Sequence, residues 1–121
     1  MNQQPTMGLL MKRGDIYFLS LDPTIGKEIK KTRPVIIVSN NANNKVSETI
    51  TVVPITSNTK KVYPFEVLLK KIESSLPKDS KAQCQQIRTV SVERINGGKV
   101  GSLNDGLIEK VNEAIRLHLS L

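Results

Sequence analysis

Runs of apolar residues divide the chain into several short extended segments followed by one helical segment. The extended segments are rich in β-branched, aliphatic and aromatic side chains, which is typical of strands. They span residues 15–21, 34–39, 49–56, 63–69 and 81–90, with a further short strand at 99–102. The 34–39 run (PVIIVS) is uninterrupted, which favours a strand buried on both faces. Pro54 lacks a backbone N–H, so we expect it at an edge or a bulge of its strand.

The apolar period changes near the C-terminus and predicts one amphipathic helix. Its apolar positions recur at intervals of three and four residues. They are Leu107, Ile108, Val111, Ile115 and Leu119. Ser102 or Asn104 is suited to cap this helix, and Asp105 and Glu109 suit its positive end. Turn-forming clusters at residues 40–44, 74–80 and 97–98 separate the strands. Five or six strands before a single helix predict a small, strongly bent barrel with the helix packed against it, and disfavour a βαβ fold.

Length and composition fit one small folded domain. The chain has 121 residues, of which 38% are hydrophobic and 24% are charged, as in ordinary globular proteins. We expect residues 1–11 to form a loose tail and residues 12–121 a single domain. Cys84 is the only cysteine, so an intrachain disulfide is impossible and a reducing, cytoplasmic setting is favoured. The sequence contains no apolar run near the roughly 18 residues of a membrane span, so we expect no membrane association.

The positive charge of the chain favours a polyanionic partner. The net charge is +7, from 18 basic and 11 acidic residues. Such a chain attracts nucleic acid, although the same charge also serves solubility. Lys27, Lys30 and Lys31 concentrate part of it in the first long loop, either as a solvated basic loop or as the rim of an RNA channel.

Several kinds of catalytic chemistry lack the residues they need. His118 is the only histidine, which excludes a two-histidine ribonuclease mechanism and favours a structural or surface role. Cys84 and His118 have no close spacing and make a poor zinc site. The eleven carboxylates form no paired motif for two magnesium ions, and no glycine-rich phosphate loop precedes a helix. We therefore expect no metal and no cofactor. The remaining arginine, lysine, threonine, serine and glutamine side chains suit charge stabilisation on a phosphate.

Arg33 and the Thr56-Ser57 pair stand at strand ends. Pro34 fixes the backbone where the second strand begins and pushes Arg33 towards extended geometry. A guanidinium held there could bind a phosphate with its planar fork, or could pair with a surface carboxylate. Hydroxyls at the end of the third strand could bond a phosphate oxygen, or could serve only the turn.

The 81–90 segment mixes polar and apolar residues on both faces. Alternation along a strand would place Ala82, Cys84, Gln86 and Arg88 together, opposite Gln83, Gln85, Ile87 and Thr89. Part of this segment should therefore border a groove or an interface, where amides could read base edges and Arg88 could contact phosphate. An edge strand with solvated side chains is the alternative.

Four segments in this order resemble the MazF/PemK family of toxin ribonucleases. They are KRGDIYFLSLDPTIGKEIKKTRPVIIVSN, TVVPITS, the Asp79-Ser80 pair, and QQIRTVSVERI followed by a C-terminal helix. The resemblance covers residues 12–119. It implies a mainly β fold with a C-terminal α-helix, a small SH3-like barrel of the CcdB/PemK type. It also implies a homodimer, cleavage of single-stranded RNA at short motifs without metal, and a cognate MazE-like antitoxin whose disordered acidic tail fills the RNA groove.

The resemblance also implies roles for single residues. Arg33, before the proline, matches the family's catalytic arginine, and Thr56 in PITS matches its catalytic threonine. The remaining matched or neighbouring positions are expected to contact RNA: Glu28, Lys30, Lys31, Ser57, Gln86 and Arg88. Some members have glycines where this chain has Lys30 and Lys31, so its loop is expected to be less permissive and more basic.

Two rival functions come from other classes. A CcdB-like gyrase-binding toxin would share the barrel, but those proteins depend on a C-terminal Trp-Gly-Ile, and this chain has no Trp. A non-catalytic RNA-binding barrel would need aromatic stacking platforms, and this chain has two Tyr and two Phe.

Overall fold

A curled antiparallel sheet with one long helix against it makes up the fold. The computed structural model describes residues 11–29 and 31–121. The strands are β1 (Asp15–Ser20), β2 (Thr32–Ile37), β3 (Thr49–Thr56), β4 (Glu66–Leu69), β5 (Ser80–Gln83), β6 (Arg88–Ser91) and β7 (Gly101–Ser102). The helices are α1 (Asn41–Val46), α2 (Lys71–Ser74) and α3 (Asp105–Leu119), with 3-10 turns at Cys84–Gln86 and Val92–Arg94. The expected mainly β fold with a C-terminal helix is confirmed.

The long strand β3 organises the sheet. The strand order is β4-β5-β3-β2-β1-β7, with β6 also paired to β3. On one side β3 pairs with β2, while on the other it pairs first with β6 and then with β5. This change of partner lets the sheet curl into a half-barrel, which brings the ends of β2, β3 and β5 together.

Two apolar clusters lie on opposite faces of the curled sheet. One contains Ile16, Ile36, Val53 and the helix residue Leu107. The other contains Tyr17, Val35, Val52 and Met11, because side chains alternate along each strand. Met11 is 2% exposed and so belongs to the core rather than to a tail, whereas residues 1–10 of the expected tail lie outside the described residues.

Helix α3 forms where the apolar period predicts it. The Asn104 side chain caps it by accepting from the Leu107 N–H at 2.8 Å, as one of the two expected caps. Leu107, Val111 and Ala114 are the buried positions. The expected apolar face is wrong at its far end, where Leu119 is 47% exposed.

Three local expectations are also wrong. Residues 40–44, expected as a turn, enter helix α1, because Asn40 caps it and Asn44 is buried in hydrogen bonds with Ser39. The 81–90 segment is two strands separated by a 3-10 turn, so its residues do not alternate as one strand. Pro54 is buried within a central strand and pairs with Val35. It is accommodated because it lies where the partner of β3 changes from β6 to β5.

Candidate functional site

Arg33 and Thr56 lie at the same end of two adjacent strands. The β2–β3 register pairs Val35 with Pro54. Two residues further in opposite chain directions stand Arg33, which pairs with Leu19 of β1, and Thr56, which pairs with Lys81 of β5. Both are half-buried. The fold therefore brings the two expected catalytic residues to one rim of the half-barrel.

A cleft of about 220 Å³ opens at this rim. It combines cationic, hydroxyl and apolar walls. Its lining residues are Phe18, Thr32, Arg33, Pro34, Ile55, Ser57, Leu76, Pro77, Lys78 and Ser80. The Asp79-Ser80 pair thus reaches the cleft through Ser80. The Thr56 hydroxyl oxygen accepts from the Asn58 N–H at 3.3 Å, which leaves its O–H able to donate to a ligand.

The basic loop before Arg33 has a defined shape. The Glu28 carboxylate accepts from the Ile25 N–H at 2.6 Å, which closes a turn within the loop. Lys31 is exposed and has φ of 74°, a left-handed conformation that glycine adopts more readily. Lys30 lies outside the described residues. Glu28 and Lys31 thus lie in the loop that leads directly into the strand carrying Arg33.

Gln86 and Arg88 form hydrogen bonds with the backbone at the two ends of this loop. The Gln86 side-chain carbonyl accepts from the Ile29 N–H at 3.4 Å. Arg88 donates to the backbone carbonyl of Leu21 at 3.2 Å. In the structure these two expected RNA contacts hold the loop, and they are close enough to it to border any ligand lying along it.

Arg94, which is not among the site residues expected from the sequence, also holds the loop. Its Nη1 donates to the carbonyls of Ser20 at 3.2 Å and Asp22 at 2.6 Å. Arg94 lies in the 3-10 turn after β6, outside any periodic segment. The contact between this turn and the loop is the signal that identifies Arg94, and the sequence pattern does not show that contact.

A second charged cluster lies deeper, between β4 and β5. Lys81 and Glu66 form an ion pair of 2.8 Å, with 9% and 1% of their side chains exposed. Burial raises the pKa of Glu66, but hydrogen bonds from Lys81, the Tyr63 N–H and Gln85 lower it by a larger amount. The net shift is therefore downward. Glu66 therefore stays ionised in the folded protein.

Burial also determines the pKa of Cys84, which lies next to this cluster. Its thiol is fully buried, and burial, assisted by the negative charge of Glu66, raises its pKa to about 12. A thiol that stays protonated is a poor nucleophile and a poor metal ligand. In residues 11–29 and 31–121, no three His, Cys, Asp or Glu side chains cluster as a metal site requires. No helix in the part of the chain that the structure describes is long and apolar enough to cross a membrane.

Comparison with known proteins assigns the family. A model of the PemK-like, MazF-like toxins of type II toxin–antitoxin systems matches residues 12–119. The chain belongs to this toxin family. A PemK/MazF relative, the endoribonuclease MazF9 of Mycobacterium tuberculosis, is 41% identical over 117 residues, covering 93% of this chain and 98% of the relative. The endoribonuclease EndoA of Bacillus subtilis is 34% identical over 114 residues, covering 93% and 97%.

Solved structures of PemK/MazF proteins share the fold. MazF of Deinococcus radiodurans superposes with a TM-score of 0.80 at 22% identity, covering 92% of this chain and 97% of that chain. A mycobacterial endoribonuclease in complex with its cognate antitoxin gives a TM-score of 0.76 at 23% identity, covering 92% and 96%. At these identities the likeness concerns the fold, and it confirms the expected barrel of the PemK type.

Proposed function

We propose that the protein is a toxin endoribonuclease that cleaves single-stranded RNA at a short sequence motif without a metal ion. The observation that carries this proposal is the joint position of Arg33 and Thr56 at one rim of a family barrel, beside a cleft with cationic and hydroxyl walls. The relatives named endoribonucleases support the reaction class.

The nucleophile is the 2′-hydroxyl of the substrate. It attacks the adjacent phosphorus, the bond to the 5′-oxygen breaks, and the products are a 2′,3′-cyclic phosphate and a 5′-hydroxyl. Because the reacting groups belong to one molecule, the protein aligns them and stabilises the developing charge. Arg33 binds the phosphate oxygens that gain charge and assists protonation of the leaving oxygen. Thr56 donates a hydrogen bond to the same phosphate.

The basic loop and its neighbours bind the RNA strand around that phosphate. Lys30 and Lys31 supply charge, Ser57 supplies a hydroxyl in the cleft wall, and Glu28 orders the loop that carries the lysines. Gln86 and Arg88 contact RNA that lies along the loop they hold. Two subunits together form the groove in the proposed homodimer.

We further propose that the toxin acts in the cytoplasm and is held inactive by a MazE-like antitoxin. A disordered acidic tail suits the net charge of +7, because opposite charges speed encounter and orient the partners. The mycobacterial and Deinococcus structures solved with an antitoxin support this partner class.

The test is incubation of purified protein with a long single-stranded RNA in excess EDTA. Discrete fragments are expected, with 5′-hydroxyl ends that polynucleotide kinase labels without prior phosphatase treatment. Arg116→Ala serves as the control, since Arg116 has 57% of its side chain exposed on α3. The absence of discrete cuts would refute the nuclease. Binding without cutting would favour the non-catalytic barrel, and inhibition of DNA gyrase would favour the CcdB-like toxin.

A further inference from the structure

Two arginines that follow the 3-10 turn Cys84–Gln86 donate to three consecutive carbonyls where β1 ends. Arg88 donates to Leu21 O, while Arg94 donates to Ser20 O and Asp22 O. The Asp22 contact, at 2.6 Å, is the shortest of the three. Both bonds come from Nη1, and the planar guanidinium fixes the directions of its N–H groups, whereas the ammonium of a lysine rotates on a flexible stem.

These carbonyls lie at the neck of the basic loop, which we define as residues 20–22 and 31, where the two ends of the loop meet. The Leu21 N–H donates to Lys31 O at 3.1 Å, and the Lys31 N–H donates to the Asp22 carboxylate at 3.2 Å. The neck therefore closes at Lys31, two residues before Arg33. Lys31 has φ of 74°, a conformation that a non-glycine residue keeps only where surrounding contacts fix it.

We propose that Arg94 is a positioning residue that, together with Arg88 and Gln86, fastens the 22–31 loop and so places Arg33 for reaction. The proposal rests on the nuclease function above. Arg94 acts through the loop and touches no substrate. Its loss leaves the basic side chains in place but loosens the strand entrance that carries Arg33.

The kinetic consequence is a loss in kcat with little change in KM. A misplacement of about 1 Å can cost roughly 10²-fold in rate, while the lysines of the loop are unchanged. We expect Arg94→Ala to lower kcat by about 10- to 100-fold and to change KM by less than about threefold. Arg94→Lys should restore part of kcat, because an ammonium can donate to the same carbonyls but lacks the fixed plane of the guanidinium.

Limited tryptic digestion reads the loop directly and does not depend on activity. Lys27 and Lys31 are exposed trypsin sites within the loop. Since proteolysis follows the population of the open form, Arg94→Ala should raise nicking in residues 22–31 by about tenfold or more over the wild type. Arg116→Ala, which removes an exposed arginine elsewhere, should leave nicking and kcat unchanged. Unchanged nicking and unchanged kcat in Arg94→Ala would overturn the proposal.

Hydrogen exchange on the wild type decides the case if Arg94→Ala does not fold. The amides of Leu21 and Lys31 close the neck, so they should exchange at least about tenfold more slowly than in a free peptide. Exchange at the free-peptide rate would refute the proposal that the two ends of the loop are held together. If the wild type cuts no RNA, the proposed function fails, whereas nicking and exchange still test whether the loop is fastened.

Discussion

Two clusters of charged side chains, about one strand apart in the sheet, have opposite environments. At the rim, Arg33 is half-buried and Lys78 is exposed, and both line a cleft. Between β4 and β5, Lys81 and Glu66 are sealed from water and bonded to each other at 2.8 Å. The same residue types therefore serve different ends. A buried charge must be matched inside the protein, whereas a charge at an open rim is also in contact with water.

The two clusters meet at one point of the sheet, which makes them a controlled comparison. Thr56 of the rim pairs in register with Lys81 of the buried cluster. Substitutions in the buried cluster should change stability and spare the activity of molecules that remain folded. Substitutions at the rim should do the reverse.

The largest effect is expected from Lys81→Ala. It leaves the ionised Glu66 buried without its partner, and breaking a buried pair in this way costs about 3–5 kcal/mol. Urea denaturation followed by circular dichroism measures the loss. Lys110→Ala, an exposed lysine on α3, is the control and should cost less than about 0.5 kcal/mol. A cost below about 1 kcal/mol for Lys81→Ala would show that the pair does not stabilise the fold as described.

Arg33→Ala should nearly abolish RNA cleavage and leave the protein folded. Loss of one donor to the developing charge lowers the rate by about 10²–10³. A half-exposed arginine contributes about 1 kcal/mol or less to stability. Single-turnover cleavage of RNA in EDTA and thermal unfolding give the two readouts. A variant that retains most of its activity would refute the assignment.

Thr56→Val tests the hydroxyl at the same rim with a side chain of similar shape. A hydrogen bond to a charged group is worth about 1.5–3 kcal/mol, so we expect cleavage to slow by about 10- to 100-fold. Thr56→Ser keeps the hydroxyl and should retain most activity. Equal activity of Thr56→Val and the wild type would remove Thr56 from the mechanism.

The pH dependence of the free energy of unfolding tests the buried pair separately from the rim. The pKa of Glu66 is lowered in the folded protein from an ordinary value of 4.5. Its contribution is therefore fully present above that value and is lost as the pH falls through the lower, folded pKa. Chemical denaturation between pH 7 and pH 3 should show this loss in the wild type and less of it in Glu66→Gln. The same acid dependence in both proteins would assign it to other carboxylates.

Local patterns predicted the elements that carry their own signal. The β-branched run of β3 and the three- and four-residue period of α3 were sufficient to place both elements. The 81–90 segment was mistaken for one strand, because its break depends on a distant contact. Gln85 donates to Glu66 at 2.6 Å, and no pattern within the segment contains that partner. Helix α1 is stabilised by local contacts, the Asn40 cap and the bond from Asn44 to Ser39, but a run of asparagines is equally typical of a turn.

The residues of the candidate site also fall into two groups, those that a motif indicates and those that only long-range contacts place. The resemblance to the MazF/PemK motifs indicates Arg33 and Thr56, whereas their positions at strand ends alone leave a surface arginine and turn chemistry as alternatives. Motifs do not show that Gln86 and Arg88 hold the loop, or that Arg94 joins them, since these contacts span 57 to 74 residues along the chain. Backbone carbonyls accept the two arginines, and carbonyls have no sequence signature.

Attack by the 2′-hydroxyl is tested with an RNA oligonucleotide that carries a single 2′-deoxyribose at the mapped scission point, incubated in excess EDTA. We expect the all-ribose strand to be cut and the substituted strand to stay intact at that point. Scission of the substituted strand there, or dependence of cutting on a divalent ion, would contradict attack by the sugar's own hydroxyl under the charge of Arg33.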